Sequence, residues 1–148
     1  MYEQLKLDNQ LCFRIYTLSR LITQAYRPAL EPLGITYPQY IVLLVLWERD
    51  NLLVGDLCRR LDLDTNTVTP LLQRMERAGL VVRTRGIADG RQTLVSLTRE
   101  GRRMEERAKG VPACVASSWL GVPADAAEAA AFVQTIDNMI NANRQTKK

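Results

Sequence analysis

The sequence predicts a mainly α-helical protein with one small β-hairpin. Apolar residues recur at helical spacing through most of the 148 residues, which predicts a series of amphipathic helices. The clearest β pattern is a pair of short alternating runs, "LVVRTR" and "QTLVSL", on either side of "GIADGR". Because an Asp-Gly pair between such runs is typical of a tight turn, the two runs are predicted to form a hairpin. The length suits one compact domain, or one with extra helices for dimerisation.

The first third of the chain is predicted to contain two long helices separated by turn residues. The first helix runs from about residue 8 to residue 25. Its apolar positions are Leu11, Ile15, Leu18, Ile22 and Ala25. Pro28 is expected to open a short piece that ends near Pro32 and Gly34. Thr36 or Tyr37 then leads into "QYIVLLVLWE", an apolar run that predicts a buried helix.

Two further helices are predicted to be joined by a turn of about three residues, which is typical of a helix-turn-helix. The first has an apolar stripe that places Cys58 in the core. Its members are Val54, Leu57, Cys58 and Leu61. The second ends at Gly79 and has one apolar face. That face consists of Val68, Leu71, Leu72 and Met75.

The opposite face of the second helix is polar and predicts contact with DNA. Its members are Thr65, Asn66, Thr67, Thr69, Gln73, Arg74 and Arg77. Short hydroxyl and amide side chains followed by arginines suit a helix whose start enters the major groove. Pro70 removes a helical hydrogen bond. The helix therefore either starts as late as Asn66 or Thr67, or is kinked at Pro70.

The hairpin carries Arg83, Arg85 and Arg91, and a basic hairpin beside a helix-turn-helix predicts a winged helix. Arg91 near its tip is expected to enter a narrow minor groove, where the negative potential is enhanced. Asp89 either orients Arg91 or merely serves the turn.

Charge and composition favour nucleic acid over a catalytic site. Between positions 59 and 103 the sequence has ten arginines and five acids, so this segment has a charge of +5 in a chain of net charge +4. The absence of histidine removes the commonest general base and most zinc sites, so we expect no enzyme, metal site or cofactor. The start lacks the features of a signal peptide and no run could cross a membrane, so a cytoplasmic location is expected.

Cys12 lies near the predicted start of the first helix. If Asp8 or Asn9 caps that helix, Cys12 is in its first turn, where the helix dipole stabilises a thiolate. Tyr16, one turn on and on the same face, could donate a hydrogen bond. Since cysteine is among the most buried residue types, packing and reactivity both remain open on the residues alone.

A terminal helix with one apolar face is predicted at the end of the chain, for dimerisation together with the first helix or for packing within one subunit. The face consists of Ala129, Phe132, Val133, Ile136, Met139 and Ile140. The expected organisation is a single domain over residues 1–148. Within it, about 36–98 form the winged-helix part, and about 1–35 and 99–148 form the helical dimerisation part.

The chain resembles the MarR family of winged-helix regulators. Over its whole length it resembles one branch of that family, the organic-hydroperoxide-sensing repressors (OhrR). The matching segments are "LDNQLCFRIY", "ITYPQYIVLLVLWE", "LDLDTNTVTPLLQRMERAGLVVR" and "DGRQTLVSLTREG". The helix and wing patterns are typical of the whole family. The N-terminal cysteine together with "ITYPQY" narrows the resemblance to the peroxide-sensing branch.

The resemblance implies that Cys12 is the sensing thiolate, held by hydrogen bonds from Tyr26 and Tyr37 with Tyr16 nearby. An organic hydroperoxide would be the inducer, and its reaction with Cys12 would release the operator. A homodimer would place two recognition helices one helical turn apart on double-stranded DNA, so the operator is expected to be a pseudo-palindrome.

The resemblance also gives Cys114 a role. Pro112 is expected to interrupt the helix that begins near Arg99, leaving Cys114 close to a kink or a helix start. Members of the branch have either one sensing cysteine or a second, C-terminal one that resolves the sulfenic acid of the partner subunit. Cys114 lies where that resolving residue is expected. The alternatives are a repressor regulated by a small aromatic ligand, a thiol peroxidase and a sequence-blind architectural DNA-binding protein.

Overall fold

The computed structural model describes residues 1–86, 88–118 and 125–145. Helices and strands follow one another as α1 (Leu11–Leu30), α2 (Tyr37–Glu48), β1 (Leu52–Leu53), α3 (Val54–Leu61), α4 (Thr65–Arg77), β2 (Val81–Arg85), β3 (Thr93–Leu97), α5 (Arg99–Ala108), α6 (Val111–Ser118) and α7 (Ala126–Gln145). Short 3-10 turns occupy Glu3–Leu5, Leu7–Asn9 and Glu31–Leu33. The prediction of a mainly helical protein with a small hairpin is confirmed.

Both ends of α1 differ from the prediction. The helix begins at Leu11, and its N-cap is Gln10 rather than Asp8 or Asn9. Asn9 lies in a 3-10 turn, and its side-chain amide donates to the carbonyl of Glu3 at 2.7 Å. At the other end α1 continues through Pro28 to Leu30. Leu30 is only 2% exposed, so its burial holds the last turn in place despite the hydrogen bond that proline removes.

The predicted buried helix is confirmed as α2. Its N-cap is Thr36, whose backbone N–H donates to the side-chain oxygen of Gln39 at 3.0 Å, and Pro38 occupies the first turn, where its missing N–H costs nothing. Five of its side chains are buried. They are Tyr40, Val42, Leu43, Val45 and Leu46.

The helix-turn-helix is formed by α3 and α4, joined by residues 62–64. Asp64 caps α4 by accepting a hydrogen bond from the N–H of Thr67 at 2.9 Å. The helix therefore begins at Thr65, earlier than the late start proposed to accommodate Pro70, and Pro70 lies inside it. The predicted apolar face of α4 is buried, and so is Cys58. Burial of that face compensates for the hydrogen bond lost at Pro70.

A three-stranded antiparallel sheet lies beside these helices in the order β1-β3-β2. Val81 pairs with Leu97 and Arg85 with Thr93, which forms the predicted hairpin. β1 pairs Leu52 with Val95 and was not predicted, because two residues are too few to show an alternating pattern.

Gly101 allows α5 to pack closely against the start of β2. A Cβ at this position would lie 2.2 Å from the carbonyl oxygen of Leu80. The carbonyl of Gly101 in turn accepts a hydrogen bond from the indole N–H of Trp47 at 2.9 Å. Position 101 thus joins α2, α5 and the base of the hairpin.

Gly101→Ala is expected to lower the free energy of unfolding by about 1–3 kcal/mol or more, because the added methyl group must push backbone apart. Urea unfolding measures the change. Gly110→Ala is the matched control, since a Cβ at Gly110 would meet nothing within 4 Å. Equal stability of the two variants would contradict this account of the packing.

The chain divides into two compact units, Met1–Ser117 and Ser118–Lys148. The first contains the helix-turn-helix and the sheet, and the second contains α7. Among the described residues no single helix is long and apolar enough to cross a membrane. The segments Leu11–Leu33 and Tyr37–Glu48 reach that length and composition only as a pair, bent by 73°.

Candidate functional site

The polar face of α4 is displayed to solvent as predicted. Thr69 is half-buried and the other six residues are exposed. They are Thr65, Asn66, Thr67, Gln73, Arg74 and Arg77. Arg74 and Arg77 are in none of the ion pairs found among the described residues. Both guanidinium groups are therefore available to phosphate or to base edges.

Arg83 differs from the other predicted DNA-binding arginines because its charge is already paired. The carboxylate of Glu76 accepts hydrogen bonds from its Nε at 3.2 Å, its Nη2 at 3.0 Å and its backbone N–H at 3.1 Å. The side-chain hydrogen bonds from Arg83, followed by the backbone one, lower the pKa of Glu76. Arg83 thus fixes β2 to α4, a role that the sequence analysis missed.

The two remaining wing arginines, Arg85 and Arg91, are exposed. Asp89 accepts a hydrogen bond from the backbone N–H of Arg91 at 3.0 Å, and its own carbonyl accepts from the N–H of Gln92 at 3.0 Å. These contacts support the turn role of Asp89. Ile87 lies outside the described residues.

Asp50 joins the end of α2 to the wing and to α5. One carboxylate oxygen accepts from the N–H groups of Asn51 and Leu97 at 2.8 and 2.9 Å, and the other accepts from Arg102 at 2.8 Å. Burial acts to raise the pKa of Asp50, but these hydrogen bonds outweigh it and the pKa is lowered. The sequence analysis did not single out Asp50. Its only signal was a polar Asp-Asn pair after an apolar helix.

Asp50→Asn is expected to destabilise the protein by about 1–2 kcal/mol near neutral pH, since it weakens a charge-assisted network. Because the folded pKa lies below the unfolded value of about 3.9, this contribution is present above about pH 4 and is lost as the pH falls through the folded pKa. Urea unfolding near pH 7 and near pH 3 would measure it, with Asp56→Asn in an exposed ion pair as the control. A deficit of equal size at both pH values would refute the assignment.

The three cysteines occupy different environments. Cys12 is exposed and is the second residue of α1, so it lies in the first turn as predicted, although the capping residue is not the predicted one. Cys58 is buried. Cys114 is exposed in the first turn of α6, and its N–H donates to the carbonyl of Gly110 at 3.0 Å. The break between α5 and α6 confirms the interruption expected from Pro112.

Tyr26 and Tyr37 lie side by side, with ring centres 4.8 Å apart. Tyr40 extends this aromatic cluster at 5.8 Å from Tyr26, and Trp47 follows at 6.4 Å from Tyr40. Burial, with a smaller effect of Tyr26, raises the pKa of Tyr37 and of Tyr40. Both hydroxyls are thus protonated donors at neutral pH. Tyr40 and Trp47 were not predicted to join this cluster, although the three-residue spacing of Tyr37 and Tyr40 puts them on one helix face.

A single chain does not bring Cys12 to these tyrosines. Cys12 and Tyr26 both lie in α1, fourteen positions apart, which corresponds to about 21 Å along the helix axis. The ring of Tyr16 contacts Arg20, whose guanidinium carbon is 5.4 Å from the centre of that ring. The predicted constellation is thus divided between two places on one chain.

Comparison with known proteins supports the resemblance inferred from the motifs. The MarR family profile matches residues 33–92. The organic hydroperoxide resistance transcriptional regulator of Bacillus subtilis (strain 168) is 46% identical over 114 residues, which is 77% of this chain and 78% of that protein.

Several similar solved structures are of AbfR, a protein of Staphylococcus epidermidis, and two of them are compared with this chain. Reduced AbfR bound to DNA has a TM-score of 0.80 and 36% identity, and the match covers 99% of this chain and 98% of that one. Disulfide-formed AbfR has a TM-score of 0.63 and 39% identity, over 93% and 95% of the two chains. With its helix-turn-helix, its three-stranded wing and this level of identity, the chain belongs to the MarR family.

Proposed function

We propose that this protein is a DNA-binding transcriptional repressor that senses organic hydroperoxides by oxidation of Cys12 and then releases its operator. The observation that carries the proposal is the exposed Cys12 in the first turn of α1, in a chain similar to an organic hydroperoxide resistance regulator. A sensor reacts once per signal rather than turning over, so the protein is not assigned as an enzyme.

DNA binding is assigned to α4 and the wing tip. The exposed polar face of α4 would enter the major groove, while Arg85 and Arg91 would contact the backbone and the minor groove. The DNA-binding part is proposed to span about 36–98, with about 1–35 and 99–148 as the dimerisation part. A cytoplasmic location is proposed, because a transcriptional regulator of this kind has to reach the DNA that it controls.

Dimer formation is supported by apolar side chains that one chain leaves exposed on two helices. On α1 they include Leu11, Phe13, Ile15, Leu18 and Leu21. On α7 they are Phe132, Val133, Ile136, Met139 and Ile140. A homodimer would cover such surfaces and would present two α4 helices about 34 Å apart to a pseudo-palindromic operator.

A dimer would also complete the thiolate site. Since about 21 Å of helix separates Cys12 from Tyr26 within one chain, the tyrosines that hydrogen-bond its sulfur are proposed to come from the second copy. The thiolate attacks the outer oxygen of the hydroperoxide, and the O–O bond breaks. The sulfur loses two electrons and becomes a sulfenic acid, while the organic part leaves as an alkoxide that takes up a proton to give the alcohol.

Cys114 is proposed as the resolving thiol. Its sulfur would attack the sulfenic sulfur of the partner subunit's Cys12, forming the disulfide and expelling the oxygen as water. Exposure of both thiols supports this step, as does the disulfide-formed structure of the similar protein AbfR. Closing the bond requires Cα atoms within about 7 Å, so the dimer has to bend if they begin further apart. That bending would move the two wings out of register with the operator.

The test is binding to the DNA upstream of the protein's own gene, with and without cumene hydroperoxide, followed by fluorescence anisotropy. We expect tight binding in reducing buffer, loss of binding after the peroxide, and recovery with dithiothreitol. Release by a small aromatic acid in the absence of any thiol oxidation would favour the ligand-regulated alternative.

Arg91→Ala and Arg74→Ala should each weaken operator binding by about 1–3 kcal/mol at fixed salt, because each removes a contact to a base or a phosphate. Arg103→Ala is the matched control, since it removes the same charge from an exposed position on α5. An anisotropy titration compares the affinities. Similar affinities for all three variants would contradict the proposed docking.

A further inference from the structure

A carboxylate just after α2 spans the corner between the wing and the helix that follows it. One oxygen of Asp50 accepts from the N–H of Leu97, the last residue of β3, at 2.9 Å. The other oxygen accepts from the guanidinium group of Arg102 on α5 at 2.8 Å. Since Thr98 alone separates β3 from α5, the angle between strand and helix is held by this one side chain.

Asp50 occupies a place on β3 that a neighbouring strand leaves open. β1 pairs with β3 only at its two residues, and Leu52 lies opposite Val95. The N–H of Leu97 therefore extends past the start of β1 and takes a carboxylate in place of a strand partner. The Asp50 side chain is only 22% exposed, so its bonds are partly shielded from water and are stronger than those of a surface pair.

Asn51 adds a second bond to the same strand. Its side-chain oxygen accepts from the hydroxyl of Ser96 at 2.6 Å. Asn51 has a φ of 59°, in the left-handed region that asparagine adopts more readily than most residues. Its N–H donates to the carboxylate of Asp50 at 2.8 Å, which holds the turn in a conformation from which both side chains reach β3.

The two strands of the hairpin are thus attached to different helices. β2 is attached to α4 through Arg83 and Glu76, and β3 is attached to α5 through Asp50. Arg91 lies in the connection between these strands, so its position follows the direction in which the hairpin projects. A small rotation at the base of a hairpin becomes a larger displacement at its tip.

We propose that Asp50 and Asn51 are positioning residues for DNA binding, which aim the hairpin so that Arg91 reaches the minor groove while α4 occupies the major groove. Neither residue contacts DNA itself. The inference rests on the proposed function, since it concerns the same operator contacts. A hairpin released from Asp50 has to be ordered on the DNA, and that ordering offsets part of the binding free energy that Arg91 supplies.

The experiment is a double-mutant cycle on binding to the DNA upstream of the protein's own gene, measured by fluorescence anisotropy at fixed salt in reducing buffer. Arg91→Ala should weaken binding about tenfold in the wild type. In Asp50→Asn the same change should weaken binding only about twofold to threefold, because a loosely held hairpin makes less use of Arg91. Arg74→Ala should have the same effect in both backgrounds, since Arg74 acts from α4.

Arg102→Gln is a second test, in an exposed residue whose replacement should not prevent folding. It should also reduce the effect of Arg91→Ala, and Arg102→Lys, which keeps a cation, should restore it. Ser96→Ala removes the donor to Asn51 and should act in the same direction with a smaller effect. Asp56→Asn is the matched control, because it breaks an exposed ion pair within α3 and should leave the tenfold effect of Arg91→Ala unchanged.

An undiminished effect of Arg91→Ala in Asp50→Asn or in Arg102→Gln would overturn the positioning role. An equal reduction in the effect of Arg74→Ala would also overturn it, since the change would then extend to the whole DNA-binding face. Either result would leave the peroxide-sensing repressor standing, because the wild type would still bind its operator. If neither Arg91→Ala nor Arg74→Ala weakened binding by the wild type, the proposed docking would fail and the positioning role with it.

Discussion

Cys12→Ser is expected to bind the operator as tightly as the wild type in reducing buffer and to remain bound after an organic hydroperoxide is added. The serine hydroxyl is similar in size but does not ionise at neutral pH, so it cannot attack the O–O bond. The proposed DNA-binding face on α4 and the wing is unchanged by the substitution. Fluorescence anisotropy over a range of peroxide doses measures release.

Tyr26→Phe and Tyr37→Phe test the two tyrosines that are proposed to hydrogen-bond the sulfur of Cys12. Each removes a hydroxyl donor to the sulfur without removing the ring, so oxidation should be slower than in the wild type but still reach completion. Their matched control is Tyr2→Phe, which removes a hydroxyl from an exposed ring near the start of the chain. If Cys12→Ser released the operator at the wild-type peroxide dose, Cys12 would not be the sensing residue.

Peroxide treatment is expected to convert the protein into a covalent dimer through Cys12 and the partner subunit's Cys114. A non-reducing denaturing gel should show the dimer band, and dithiothreitol should remove it. Cys114→Ser should abolish the band entirely and let Cys12 proceed to sulfinic acid, since no second thiol captures the sulfenic acid.

Cys58→Ser provides the control for this experiment. Cys58 is buried, and its sulfur lies 4.0 Å from the hydroxyl of Thr65, so it has no access to a partner thiol and its replacement should leave the dimer band unchanged. A monomeric band after complete oxidation, with Cys114 still free by mass spectrometry, would reduce the protein to a sensor with one reactive cysteine.

Local patterns in the sequence were sufficient for most of the helices and for the hairpin. The apolar face of α4 was predicted residue by residue, because a helix that packs on a core must repeat its apolar positions every three or four residues. The core position of Cys58 followed from the same rule. The C-terminal end of α1 did not follow from local patterns. Leu30 holds the last turn by burial against distant residues, and no local signal marks that burial.

The candidate site was predicted less completely than the fold. The exposed arginines of α4 and of the wing tip followed from charge and periodicity. The pairing of Glu76 with Arg83 did not, because it depends on how closely β2 approaches α4. Asp50 was missed for a similar reason, since its partners Leu97 and Arg102 lie more than forty positions away in the chain.

The sequence by itself determined which residues are polar, basic or apolar, and on which face of each helix they lie, since those properties depend on residue type and on spacing within one element. Only the tertiary structure decided which of them meet. It brought Tyr26, Tyr37 and Tyr40 into one cluster, left Cys12 far from that cluster on the same helix, and joined Asp50 to β3 and α5. Proximity between elements depends on how the whole core packs, and no short stretch of sequence contains that information.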